Sequence, residues 1–143
     1  IFERLREAID RRLEVKAGAE LNVEVVRGGR QVVVSIAARK PAEGETRAVC
    51  ALVETETRYS GENGFRFHPM VVRALAGADG RGLELQEGET LRHVFDLDEV
   101  QESLDVNSPP IDPSRLAVAA FLQDSKTGEI LQAAWARLAS QSL

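Results

Sequence analysis

The sequence has few of the residue types that usually form catalytic sites, metal sites or disulfides. Its 143 residues include one cysteine, Cys50, and two histidines, His68 and His93. A single cysteine forms no disulfide within the chain, and one cysteine with two histidines is too small a set for a Cys/His zinc cluster. The sequence also has no nucleophile elbow, phosphate-binding loop or Rossmann fingerprint. We therefore predict no catalytic residue, no cofactor and no metal site in this chain.

An excess of basic residues and a long apolar run are missing as well. Eighteen Lys and Arg stand against 23 Asp and Glu, which gives a net charge of -5. The cations are scattered among acids, whereas a nucleic-acid footprint needs a concentrated basic face. No stretch approaches the roughly 20 apolar residues that cross a bilayer as a helix. We therefore expect no nucleic-acid binding and no direct membrane insertion by this segment.

What the sequence does contain is strand patterning. From Ala19 onward apolar residues alternate with polar ones, and glycine-containing turns separate the alternating stretches, beginning with Gly28 and Gly29. One domain fits a chain of this length. The candidate strands cover residues 21–25, 31–38, 46–59, 70–75, 83–85, 91–97, 116–123 and 129–138. This pattern predicts a mainly β domain, an antiparallel β-sandwich of about seven strands.

The first 16 residues have a different period. Apolar residues recur there at helical spacing, so we predict a helix that ends at Ala17 and Gly18 and buries one apolar stripe, formed by Ile1, Phe2, Leu5, Ile9 and Leu13. The chain begins without an initiator Met and inside this helical pattern, which indicates a piece of a longer polypeptide. We therefore assign residues 1–18 to an N-terminal helix, a linker or the end of a preceding domain, and residues 19–143 to the β-sandwich.

Candidate site residues concentrate in residues 61–77, where Asn63, His68 and Arg73 accompany turn glycines and an apolar run. In a functional interpretation, His68 is an acid or base, Arg73 binds an anion, and Asn63 or Glu62 orients them from the turn. In a structural interpretation, Arg73 forms an ion pair or binds loop carbonyls, and the backbone satisfies His68. The structural interpretation is favoured because the segment supplies no nucleophile.

Other polar or reactive residues are predicted to be structural. Cys50 lies in an apolar strand, which indicates a small buried side chain rather than a reactive thiol. His93 lies on a strand between two apolar residues, so we expect it to be partly buried. Residues 98–115 contain three prolines and no clear period, and we predict a long surface excursion that can include a turn of helix. The nearby acids lack the order of a calcium loop and are expected to be solvated; they are Asp96, Asp98, Glu99 and Glu102.

Four segments together resemble a known family: residues 59–68, 71–75, 116–124 and 129–134. They are similar to the immunoglobulin-like C-terminal domain that follows a thioredoxin-like domain in bacterial exported proteins, including lipoproteins of the outer-membrane-protein-28 type. The resemblance covers most of residues 21–138. It implies an immunoglobulin-like sandwich in an extracytoplasmic setting: periplasmic, attached to the outer membrane, or secreted.

The resemblance also implies a partner and a role. The partner is an upstream thioredoxin-like domain of the same polypeptide, and residues 1–16 would be the last helix of that domain or the linker to it. The role is that of a non-catalytic accessory domain that docks or presents the redox domain. Two alternatives stay open: a small ligand-binding protein or hydrolase with a pocket around Asn63, His68 and Arg73, and a homo-oligomer that pairs through exposed sheet edges near residues 83–85. The sequence leaves the oligomeric state open.

Overall fold

The computed structural model describes residues 1–39, 45–58, 67–77, 82–85 and 88–138. The elements, in chain order, are α1 (Phe2–Leu13), β1 (Glu20–Gly28), β2 (Gln31–Arg39), β3 (Thr46–Arg58), β4 (Phe67–Leu75), β5 (Leu83–Glu84), β6 (Thr90–Asp96), α2 (Leu97–Ser103), a 3₁₀ turn (Pro113–Arg115), β7 (Leu116–Asp124) and β8 (Ile130–Arg137). Neither helix in these ranges is long and apolar enough to cross a bilayer.

The strands form two antiparallel sheets. The three-stranded sheet has the order β1-β2-β6, and the five-stranded sheet has the order β4-β3-β7-β8 with β5 paired to β3. The predicted mainly β architecture with an N-terminal helix is confirmed, and the two sheets are consistent with a β-sandwich. Eight strands are described where about seven were predicted, and the candidate stretch at residues 83–85 is among them as the two-residue β5, which pairs with β3.

The core lies between the inner faces of the two sheets, where every second residue of each strand points. Val32, Val34 and Ile36 of β2 are fully buried and belong to one apolar cluster with Cys50 and Leu52 of β3. The predicted first hairpin is present, with Gly28 opposite Gln31 and Gly29 at φ +58° in the turn. Period-two patterning and paired glycines therefore identified the first hairpin correctly.

The prediction for residues 98–115 was wrong in part. Asp96 ends β6 and caps α2, since its carboxylate accepts hydrogen bonds from the backbone N–H groups of Asp98 (2.9 Å) and Glu99 (3.2 Å). Leu97 and Val100 of α2, together with Ile111, are buried in the core cluster. A helix of seven residues shows too little of the 3.6-residue period to be recognised from the sequence. Val100 and Ile111 thus anchor this segment in the core, while its other residues are partly or fully exposed.

The N-terminal helix is present but shorter than predicted. It ends at Leu13 with Glu14 as its C-cap, before Ala17 and Gly18. None of its residues is buried, so it does not pack its apolar stripe on the sandwich. Two described contacts link this region to β8 and its turn: Arg12 Nη2 to Glu129 Oε1 at 2.7 Å, and the backbone N–H of Gly18 to the carbonyl of Leu131 at 3.1 Å.

Candidate functional site

Arg73 lies in β4 at an irregularity in the β3–β4 ladder. Leu52 pairs with Ala74 and Val53 pairs with Val72, so Arg73 is an extra residue of a β-bulge. Its side chain turns inward, where Nε donates to Glu54 Oε1 at 2.9 Å and Nη2 donates to the carbonyl of Pro109 at 3.1 Å. The side chains of this ion pair are 4% and 3% exposed. The guanidinium therefore connects β3, β4 and the segment before β7.

A second set of polar contacts holds the segment before β7 against β3. Arg115 forms ion pairs with Glu56 of β3 at 3.5 Å and with Asp112 at 3.4 Å. Asp112 also accepts a hydrogen bond from the Ser114 hydroxyl at 2.6 Å, and this contact, with the Ser114 backbone N–H, lowers the pKa of the Asp112 carboxyl. These groups attach the 3₁₀ turn to β3.

His68 does not join Arg73 in the described structure. His68 pairs with Thr57 in the ladder, three residues along β3 from Glu54, and strand alternation places it on the opposite face of the sheet from Glu54 and Arg73. Asn63 lies outside the described residues. Within the described ranges, no group of three His, Cys, Asp or Glu side chains is placed to hold a metal ion. The described contacts of Arg73 hold β3, β4 and the segment before β7 together.

His93 and Cys50 are packing residues. The His93 ring meets the Phe95 ring edge to face, with centroids 4.6 Å apart, and desolvation by burial lowers the pKa of His93. Cys50 is fully buried, and desolvation by burial raises the pKa of its thiol to about 11. The prediction that Cys50 is a small buried side chain is confirmed, and its thiol is neutral at physiological pH.

We expect the Cys50 thiol to be inert in the native chain. With Ellman's reagent at pH 8, folded protein should show no modification over the time in which the same chain in 6 M guanidinium reacts completely, because both access and thiolate character are lost on folding. Mass spectrometry after quenching measures the modified fraction. Rapid modification without denaturant would show that β3 opens locally.

The five-stranded sheet has an apolar outer face, which is the face turned away from the three-stranded sheet. Register pairs Leu75 with Ala51, Ala51 with Ala119, and Ala119 with Trp135, so these four residues form one row across β4, β3, β7 and β8. Three strand spacings separate its ends, roughly 14 Å. A neighbouring row joins Val72, Val53 and Ala117 in the same way and ends at Arg137 on β8.

Exposure on the outer face rises from its centre to its edges. Val53 and Ala117 are buried, whereas Val72, Leu75 and Trp135 on the two edge strands are 53%, 46% and 42% exposed. The main contact of α2 is with β6, and α1 is paired with Glu129 in the β7–β8 turn. Neither described helix thus forms a layer over this face. Strands that are apolar on both faces are typical of sheets covered on both sides.

The amino-acid sequence carries part of the signal for this face. Residues 49–53 and 116–122 are apolar at both odd and even positions, so one set lines the core and the other lines the outer face. A strand that is apolar on both faces is typical of the centre of a sandwich. The same pattern also indicates a surface that binds something.

Comparison with known proteins finds a structure with a similar fold. No family model matches the chain, and no curated protein matches it. Among solved structures, a domain of the outer membrane lipoprotein Omp28 from Porphyromonas gingivalis is similar, with a TM-score of 0.65 and 11% sequence identity over 90% of this chain and 93% of that chain. In fold, the chain thus resembles a domain of an outer membrane lipoprotein.

Proposed function

We propose that this chain is a non-catalytic interaction domain of an exported protein and that it docks a thioredoxin-like domain of the same polypeptide. The observation that carries the proposal is the row of Leu75, Ala51, Ala119 and Trp135 across the outer face of the five-stranded sheet. Its large residues are exposed at both edge strands, where a soluble domain without a partner usually presents polar side chains.

The shape of the outer face suits a docking role. The small alanine side chains at its centre form a shallow depression, and the larger Leu75 and Trp135 lie at its opposite edges. A convex apolar surface would fit this depression and contact Leu75 and Trp135 at the same time. Half-exposed tryptophan is a common source of binding energy at protein interfaces, since it buries a large area when a partner covers it.

The identity of the partner and the setting are supported by resemblance. The sequence is similar to domains that follow a thioredoxin-like domain in exported proteins, and the fold is similar to a domain of the lipoprotein Omp28. Both support an extracytoplasmic location. The alternative of a small ligand-binding protein or hydrolase has less support, because Glu54 and Pro109 already engage Arg73.

Photo-crosslinking in cells tests the proposal. The polypeptide as its gene encodes it would carry p-benzoylphenylalanine in place of Trp135, and a matched control would carry it in place of Arg92, an exposed residue on the outer side of the three-stranded sheet. After irradiation and digestion, mass spectrometry should find cross-links from position 135 to a thioredoxin-like domain of the same polypeptide. Position 92 should give none.

Two results would contradict the proposed function. Cross-links from position 135 that reach only copies of this same domain would make the outer face a self-association surface. Equal cross-linking from positions 135 and 92 would show that the outer face has no specific partner.

A further inference from the structure

The apolar stripe of α1 is a second surface without a described partner. Ile1, Phe2, Leu5, Ile9 and Leu13 are between 57% and 102% exposed. An isolated helix of 12 residues is marginal in water, and most helical stability in proteins comes from packing an amphipathic face. A folded α1 therefore needs a surface on which to bury this stripe.

The attachment of α1 leaves the stripe accessible. Arg12 lies on one flank of the stripe, and its ion pair with Glu129 holds that flank near the β7–β8 turn. The other flank carries Arg6 and Asp10, four residues apart on the helix. These two side chains line a shallow groove of about 390 Å³ together with Phe2, Leu5 and Ile9. The apolar stripe and this charged flank form one continuous surface.

We infer that α1 is a dimerisation helix, and that it pairs with α1 of a second copy of this chain in antiparallel orientation. In such a pair with Phe2 level with Leu13 of the second copy, Leu5 lies within one residue, about 1.5 Å along the helix axis, of Ile9 of the second copy, so the two stripes match along their length. On the open flank, Arg6 lies within one residue of the level of Asp10 of the second copy, and Asp10 likewise of its Arg6, which is within reach of these side chains. The charges are thus self-complementary in this orientation.

The available area fits a weak dimer. Each of the five stripe residues is more than half exposed and offers on the order of 100 Å² of apolar surface. Two copies would then bury roughly 1,000 Å² in total, which is at the lower limit of specific interfaces. We therefore expect reversible association with a dissociation constant in the micromolar to submillimolar range.

Sedimentation velocity of the 143-residue chain over a wide range of concentration tests this inference. The wild-type chain should change from monomer to dimer as its concentration rises. Ile9→Glu should raise the dissociation constant at least about 30-fold, since it buries a charge in the stripe. The matched control is Ala8→Glu, which adds the same charge to the same helix off the stripe and should leave the dissociation constant within about threefold of wild type.

Charge exchange tests the antiparallel orientation. Arg6→Asp alone should weaken the dimer because two acids then face each other at each end, and Asp10→Arg alone should weaken it because two cations do. Mixing the two single variants should restore association as heterodimers, in which each acid faces a cation again. Native mass spectrometry distinguishes these heterodimers by mass.

Clear results would overturn the inference. A wild-type chain that stays monomeric at all concentrations would do so, as would dimers that persist unchanged in Ile9→Glu, which would place self-association elsewhere, for example on the outer face. Glutamate has at least the helix propensity of isoleucine, and far-UV circular dichroism would check that α1 is retained. The inference does not rest on the proposed function, because the outer face and Trp135 take no part in it.

Discussion

Replacing Arg73 by alanine is expected to lower the free energy of unfolding by about 3–5 kcal/mol, because it leaves the Glu54 carboxylate buried without its cation. Both side chains are almost inaccessible, and the 2.9 Å contact between Arg73 Nε and Glu54 Oε1 is the direct link between them. The substitution also removes the donor to the Pro109 carbonyl. Equilibrium unfolding in urea, with circular dichroism as the signal, measures the loss.

Two further variants show whether the loss of stability comes from the unpaired buried charge. Arg115→Ala removes two partly exposed ion pairs, to Glu56 and to Asp112, and it should cost less than about 1 kcal/mol. The double variant Glu54→Leu with Arg73→Met removes both charges and should recover most of the stability lost in Arg73→Ala, since apolar residues can replace a buried pair. A cost below about 1 kcal/mol for Arg73→Ala would contradict a structural role and favour a functional one.

The sequence could suggest an ion pair for Arg73 but not its partner. Strict alternation along β4 would place Val72 and Leu75 on opposite faces, because they are three residues apart. The bulge adds one residue, so both lie on the outer face while Arg73 and Ala74 point inward. A bulge depends on how two strands fit together, and residues 70–75 carry no local signal for it.

The same limit applies to the outer face and to α2. The apolar positions of β3 and β7 were visible in the sequence, but the row that joins Leu75 to Trp135 depends on strand order across four strands. In α2, Leu97 and Val100 are buried because the Asp96 cap turns the chain inward at the end of β6. Local sequence patterns were enough to predict the strands and the hairpins. The strand order and the burial of Val100 and Ile111 depend on tertiary packing, which those patterns do not encode.

Replacing Gly82 by alanine is expected to lower the free energy of unfolding by about 3 kcal/mol or more. Gly82 has φ +89°, and a Cβ there would lie 2.8 Å from the carbonyl oxygen of Ala48 and 3.2 Å from Val49 Cγ2. These atoms belong to the central strand β3, so they cannot move aside without disturbing the ladder. The carbonyl of Gly82 also accepts a hydrogen bond from Arg47 Nη2 at 2.8 Å, which a shift of the backbone would weaken.

Gly88→Ala is the matched control for this prediction. Gly88 has a similar φ of +82°, but a Cβ there would meet no atom within 4 Å, so its substitution should cost only the backbone strain of about 1–2 kcal/mol. The difference between the two variants isolates the steric contact with β3, and it should be about 1–3 kcal/mol. Urea unfolding of both variants beside wild type gives this difference. Equal losses would show that β3 yields at Ala48, and that the close approach of Gly82 to this strand is not a fixed part of the sheet.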